Sequence, residues 1–174
     1  MNPNSRRERI TKILEKAVQP VAGSRLAEQL AVSRQVIVQD ISILRAMGEQ
    51  ILATPRGYIF VESLTPAVYR KTFAMRHNHE EMKHELEIIV DTGGKVVDVL
   101  VEHPVYGELK GMLMLGSRRD IKEFIESLES SSSKPLSALT DGVHLHTVEA
   151  ASEEVFFHIE KELERSGYLL KIND

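Results

Sequence analysis

The stretch that most constrains this chain is residues 23–60, GSRLAEQLAVSRQVIVQDISILRAMGEQILATPRGYIF. Its first part predicts two short helices joined by a tight turn. Ser24 suits an N-cap, and Leu26, Ala27 and Leu30 recur behind it at helical spacing. Ala31, Val32 and Ser33 make the turn, with Ser33 capping the second helix. There Ile37, Ile41 and Leu44 stand at i, i+4 and i+7 and form one apolar stripe. At 3.6 residues per turn, Gln35, Gln39 and Ser42 fall opposite that stripe, and Arg34 and Arg45 flank it. Gln pairs bidentately with adenine, and Arg with guanine or phosphate, so this outer face suits a DNA major groove. Beyond Gly48, residues 50–53 and 58–61 flank Thr54-Pro55-Arg56-Gly57, which predicts a hairpin with Arg56 at a basic tip, the shape of a wing.

The segment resembles the winged helix-turn-helix of bacterial regulators, the class related to biotin-operon repressors. Ala31 stands where many such turns carry Gly, and Ala tolerates a left-handed conformation less well.

Charge divides along the chain. Residues 1–61 hold nine Lys/Arg against five Asp/Glu, a balance of +4, whereas residues 62–174 hold thirteen against twenty-one, a balance of −8. A basic front and an acidic back predict two domains, residues 1–62 and 68–174, of which only the first faces phosphate. With 174 residues and 42% hydrophobic content, two small cores are within reach. Cysteine is absent, which excludes disulfides and thiolate metal sites and agrees with a reducing cytoplasm. No apolar run approaches the ~20 residues of a membrane span. The opening MNPNSRRERI lacks the apolar core of a signal peptide, so a cytoplasmic protein without membrane contact is expected.

Residues 5–19 predict a scaffold helix with Ile10, Ile13, Leu14 and Ala17 on one face, ended by Pro20. Residues 62–66 read as a short linker. The back half then alternates strands and helices. Strands are expected at residues 68–75, 95–102, 109–115, 142–148 and 168–172, helices at 80–90, 118–128 and 152–165, and a flexible joint at 130–134. The fold class is α+β: an N-terminal winged helix-turn-helix and a C-terminal two-layer α/β sandwich with a mainly antiparallel sheet, its helices on one face.

Seven histidines stand out. His144-Leu145-His146 on a strand places both imidazoles on one side, because side chains alternate with period two. His77 precedes a helix that carries Glu85 two turns later. Three imidazoles and a carboxylate suit zinc, nickel, iron or manganese and disfavour calcium or magnesium. By spacing alone, His79, His84, Glu81 and Glu87 are equally near, and a surface strand carries His-x-His by chance often enough that the metal reading stands level with a structural one. His84 and His158 are expected as solvated helix positions.

Two blocks, RHNHEEMKHELEIIVDTGGKVVDVLVEHPVYGELKG and DGVHLHTVEA, resemble the three-histidine (3H) domain that follows a helix-turn-helix in niacin-responsive repressors of bacteria, and the likeness spans roughly residues 5–170. It implies a repressor of genes for NAD synthesis or niacin uptake, with nicotinic acid as co-repressor, a divalent transition metal in the C-terminal domain, and a double-stranded DNA operator as partner. The ligands it implies are His77, Glu85, His144 and His146, with His79 as a second candidate beside His77. His103 and Tyr106 in EHPVYG are weaker candidates for effector contact, and His103 equally suits capping that turn.

A six-coordinate ion with four protein ligands has two open positions and a five-coordinate ion has one, which nicotinate's carboxylate or pyridine nitrogen could fill. Two alternatives compete with the niacin-responsive repressor: a repressor that senses the metal itself, and a metal-dependent hydrolase using an open metal position. No separate general base stands beside the proposed ligands, so an enzyme is not expected. A winged helix usually acts as a dimer on a two-fold site, and a homodimer is expected.

Overall fold

The computed structural model describes residues 2–61 and 69–170. The chain divides into two compact units, Met1–Pro66 and Ala67–Asp174. The predicted linker at residues 62–66 lies outside the described residues.

In the first unit α1 (Pro3–Glu15) opens on a proline, with the Asn2 side chain accepting the Ser5 N–H at 2.8 Å. It stops at Glu15, short of the predicted residue 19, because the chain must turn back to the wing. Val21 and Tyr58 exchange both backbone hydrogen bonds, at 2.8 and 2.9 Å. Gly57 (φ +132°) lies so close beneath that a Cβ would stand 2.1 Å from the Val21 carbonyl oxygen. α2 (Gly23–Leu30) begins one residue before the expected cap, so Ser24 lies inside the helix and Ala22 precedes it without a side-chain cap. Ala31 does adopt the left-handed conformation (φ 51°, ψ 47°), and the Val32 N–H returns to the Ala27 carbonyl at 3.0 Å. α3 (Arg34–Ala46) is capped by Ser33, whose hydroxyl accepts the Val36 N–H.

The predicted stripe is the core. Ile37, Ile41 and Leu44 bury against Ile10, Leu14, Leu26 and Leu30, each worth roughly 1.5–3 kcal/mol relative to exposure. The wing is β1 (Ile51–Thr54) paired antiparallel with β2 (Gly57–Phe60). An acid is buried among these groups. Asp40 on α3 takes the Arg6 Nε at 2.5 Å and the Arg7 Nη1 at 3.4 Å, tying α1 to α3.

The second unit is a four-stranded antiparallel sheet in the order β3 (Tyr69–Arg76), β6 (Val143–Ala150), β4 (Lys95–His103), β5 (Gly107–Leu115). Three helices, α4 (Met82–Asp91), α5 (Arg118–Ser130) and α6 (Glu153–Arg165), close one core with the strands. Phe73, Val96, Leu113 and Val148 meet Leu86, Ile121 and Ile159 there.

Three features of this unit depart from expectation. Of the strand expected at 168–172, residues 171–172 lie outside the described residues, and residues 168–170 run along β3 without forming a strand. Leu169 makes one isolated bridge to Met75, while Tyr168 turns its ring into the core. A short 3₁₀ helix, Leu136–Thr140, also precedes β6. β4 carries a bulge between Val96 and Asp98, which makes Val97 an extra residue in the ladder.

Candidate metal centre and DNA-reading surface

β6 alternates as predicted. His144 and His146 pair in register with Met75 and Phe73 and point, like Val148, to the helix-covered face. α4 meets them with Met82, Glu85, Leu86 and Ile89, so that one carboxylate sits in an otherwise apolar stripe. His77 follows β3, held by a capping box in which Asn78 Oδ1 accepts the Glu81 N–H at 3.1 Å and Glu81 accepts the Asn78 N–H at 3.0 Å.

All four groups converge. Glu85 Oε2 lies 2.8 Å from His77 Nε2, and Oε1 lies 3.5 Å from His144 Nε2 and 3.3 Å from His146 Nε2. The ligand atoms of His77, Glu85 and His144 lie within 4.8 Å of one another, and His146 joins them through the same carboxylate. His79 is exposed and outside the cluster.

The other ring nitrogens decide what the cluster can be. Each Nδ1 faces a backbone carbonyl: His77 to Asn78 at 2.7 Å, His144 to Gly142 at 2.8 Å, and His146 to Asp98 at 2.6 Å. A carbonyl only accepts, so every Nδ1 carries the proton and every Nε2 turns a lone pair toward the carboxylate. Without a cation between them, those nitrogens must either take second protons, giving up to three buried imidazolium rings against one carboxylate, or face it unprotonated. A divalent ion removes that conflict. At metal–ligand distances of about 2.0–2.2 Å, neighbouring ligands stand roughly 3.0–3.5 Å apart, and the Glu85–imidazole distances here are 2.8, 3.3 and 3.5 Å. The residues present therefore fit a divalent transition metal, with the Nδ1–carbonyl bonds orienting the rings.

Without the ion, protons hold the cluster together in its place. Burial pushes the Glu85 carboxyl up, but the three imidazoles outweigh it and hold it well below the usual carboxylate range. Burial pushes His77 and His146 down, yet Glu85 outweighs burial and keeps both above the ordinary imidazole value of 6.5.

Sequence reasoning missed three supports of this centre. The bulge at Val97 frees the Asp98 carbonyl from the ladder for His146, and the Asp98 carboxylate fills the gap by accepting the Thr147 N–H at 3.1 Å. An acid inside the Val-rich KVVDVLVE was the available signal. Tyr168 lays its ring edge against His77, centroids 5.3 Å apart, and shares a hydrogen bond with His84 Nδ1 at 2.8 Å, so exposed His84 is tied rather than merely solvated. Gly142 (φ +86°) lies against His77, where a Cβ would stand 2.2 Å from the His77 carbonyl oxygen. His158 is exposed, as expected. His103 Nδ1 accepts the N–H groups of Val105 and Tyr106 at 3.2 and 3.3 Å, so it caps the hairpin turn, and Tyr106 is exposed at that tip. The ligand side chains are only 0–4% exposed. His77 and His144 nevertheless each line an open groove.

In the first unit Gln35 and Gln39 are exposed on α3, beside Arg34. Ser42 is exposed but bonds back to the Val38 carbonyl at 2.9 Å, and Arg45 spends its Nε on the Ile51 carbonyl at 2.8 Å, bracing β1 against α3. Arg56 is half-buried rather than projecting: its Nη2 reaches Gln19 at 3.4 Å. It lines, with Arg34 and Ser24, a groove of about 320 Å³ between the wing turn and the start of α2.

Residues 70–172 match the family described as the 3H domain, and residues 6–59 match an HTH domain. The chain is 46% identical to a probable transcription repressor NiaR of Thermotoga maritima, covering 93% of this chain and 91% of that one. It is 40% identical to the transcription repressor NadR of Bacillus subtilis, covering 96% and 94%. The chain belongs to the 3H-domain family of transcription repressors. Its HTH domain is the DNA-binding part, and the His-Glu cluster lies within the 3H domain. These relatives are repressors and not enzymes, which removes the hydrolase alternative. Among the described residues no helix is long and apolar enough to cross a membrane.

Proposed function

We propose that this repressor acts in the cytoplasm as a homodimer on a double-stranded operator, controls genes of NAD synthesis or niacin uptake, takes nicotinic acid as co-repressor, and carries a divalent transition metal on His77, Glu85, His144 and His146. Nickel, zinc, iron and manganese all suit three imidazoles and a carboxylate. The observation that carries the metal reading is the set of three Nδ1–carbonyl bonds, which leaves three Nε2 lone pairs turned on one buried carboxylate. On the DNA side, Gln35 and Gln39 are the base readers, and Ser33, Arg34, Ser42, Arg45 and Arg56 set phosphate contact and the posture of helix and wing.

The metal, when bound, supplies a fixed positive charge that organises the 3H domain. The chain's own residues do the rest: three carbonyls orient the rings, and α4 delivers the carboxylate. Metal content of the purified chain and of His146→Ala tests this. One equivalent in the parent, reduced in His146→Ala with the fold retained by circular dichroism, is the expected result. Equal metal content in the two would remove His146 from the ligand set.

A further inference from the structure

Beside the metal centre runs an open groove of about 570 Å³ between the Asn78–His79 turn and the Leu136–Thr140 helix with its exit at Asp141 and Gly142. Two of its lining residues, Asn78 and Gly142, are the ones whose carbonyls hold the Nδ1 protons of His77 and His144. Whatever sits in this groove therefore touches the peptides that aim two of the three imidazoles.

The groove's chemistry is specific. Arg76 lines it, is exposed, and enters none of the ion pairs found among the described residues. His79 lines it too, which gives a place to the histidine that the metal cluster leaves aside. Asp141 is the one acid in the lining and disfavours a second anionic group. Another groove of the sheet, about 400 Å³ beside His144, has Glu102 as its only charged lining residue and so repels an anion. A divalent ion with one carboxylate and three neutral imidazoles would leave a net +1 next door, which also favours an anion here.

We infer that this groove is the effector site of the 3H domain and takes a small aromatic monocarboxylate, its carboxylate paired with Arg76 and its ring against the Pro135–Ala138 wall. Effector and metal are then coupled through the Asn78 and Gly142 peptides, without the effector becoming a metal ligand. The inference rests on the niacin reading above and adds where and how the molecule is held.

The test is calorimetry on the metal-loaded full chain with three probes: nicotinate, benzoate and uncharged nicotinamide. Parent protein should bind nicotinate and bind nicotinamide far more weakly. Arg76→Gln should weaken nicotinate roughly ten- to a hundredfold, the worth of one charge-assisted pair. Ala138→Tyr, at an exposed wall position, should block the groove, and both variants should keep one equivalent of metal by elemental analysis. In cobalt-loaded parent, nicotinate should shift the visible bands, and in Arg76→Gln it should not at the same concentration. If the parent binds nicotinate and both variants bind it equally well, the groove is wrong while the niacin reading stands. If benzoate binds through Arg76 and nicotinate does not, the groove stands and the niacin reading falls. If neither carboxylate binds the parent, both fall.

Discussion

Gly142→Ala is the sharpest perturbation of the metal centre that leaves every ligand in place. Gly142 has φ +86°, and its added Cβ would lie 2.2 Å from the His77 carbonyl oxygen, against a floor of 3.0 Å in real contacts. That oxygen must retreat by about 0.8 Å, or Gly142 must move by as much. Metal–ligand distances hold to within about 0.2 Å of their ideal values, so a backbone shift of this size, passed on even in part to the rings, disturbs the centre. It acts on His77 directly and on His144 through the Gly142 carbonyl. We expect metal affinity to fall at least ten- to a hundredfold, the range seen when outer-shell support is lost, and the metal-free 3H domain to lose about 1–3 kcal/mol from backbone strain. Competition against a chromophoric chelator reads the first, and urea unfolding the second. Gly107→Ala is the control. It shares the positive φ (+72°) but has nothing within 4 Å, so it should lose only the strain and keep its metal affinity. Gly142→Ala with metal affinity within twofold of the parent would show that the Gly142–His77 contact does not position the ligands.

Ala31→Gly should stabilise the HTH domain by up to about 1 kcal/mol, because it relieves a left-handed alanine and partly offsets that gain through unfolded-state entropy; urea midpoints check it. Gln39→Ala should cost roughly 1–3 kcal/mol on a selected operator and relax the preference at one base pair, whereas equal loss on random DNA would remove Gln39 from base reading. Arg56→Ala should weaken all sequences alike and flatten the salt dependence, measured by anisotropy across a salt series. The metal-free 3H domain should be most stable between about pH 4.5 and 6.5. Glu85, held low, contributes above its ordinary 4.5 and loses that as pH falls, while His77 and His146, held high, contribute below 6.5 and lose that as pH rises. Metal binding displaces those imidazole protons, so metal affinity should rise from pH 6 to 8 with proton release, seen as buffer-dependent heats.

Much of this was legible in the residues because it rests on periodicity. Ile37, Ile41 and Leu44 at helical spacing located α3 and its outward glutamines, and His144-Leu145-His146 on a period-two strand placed two rings on the core side. Glu85 could be paired with them only through family likeness, since its helix neighbours Glu81 and Glu87 look alike on paper. The fold distinguishes them by burying Glu85 in the Met82–Ile89 stripe. What stayed hidden was carried by backbone. The carbonyls of Asn78, Asp98 and Gly142 have no residue signature, and the bulge that frees one of them is a matter of register. Arg56 was placed at a basic tip, and its tie to Gln19 was not foreseen because Gln19 lies 37 residues away in sequence.

The most direct test of the central claim is operator affinity measured on one preparation in four states: metal-loaded and chelated, each with and without nicotinate, on a duplex the protein selects from a random pool. Nicotinate should tighten binding of the metal-loaded protein to that duplex and have a much weaker effect once the metal is removed. Operator affinity that ignores nicotinate in the metal-loaded state, or responds equally without metal, would contradict that claim.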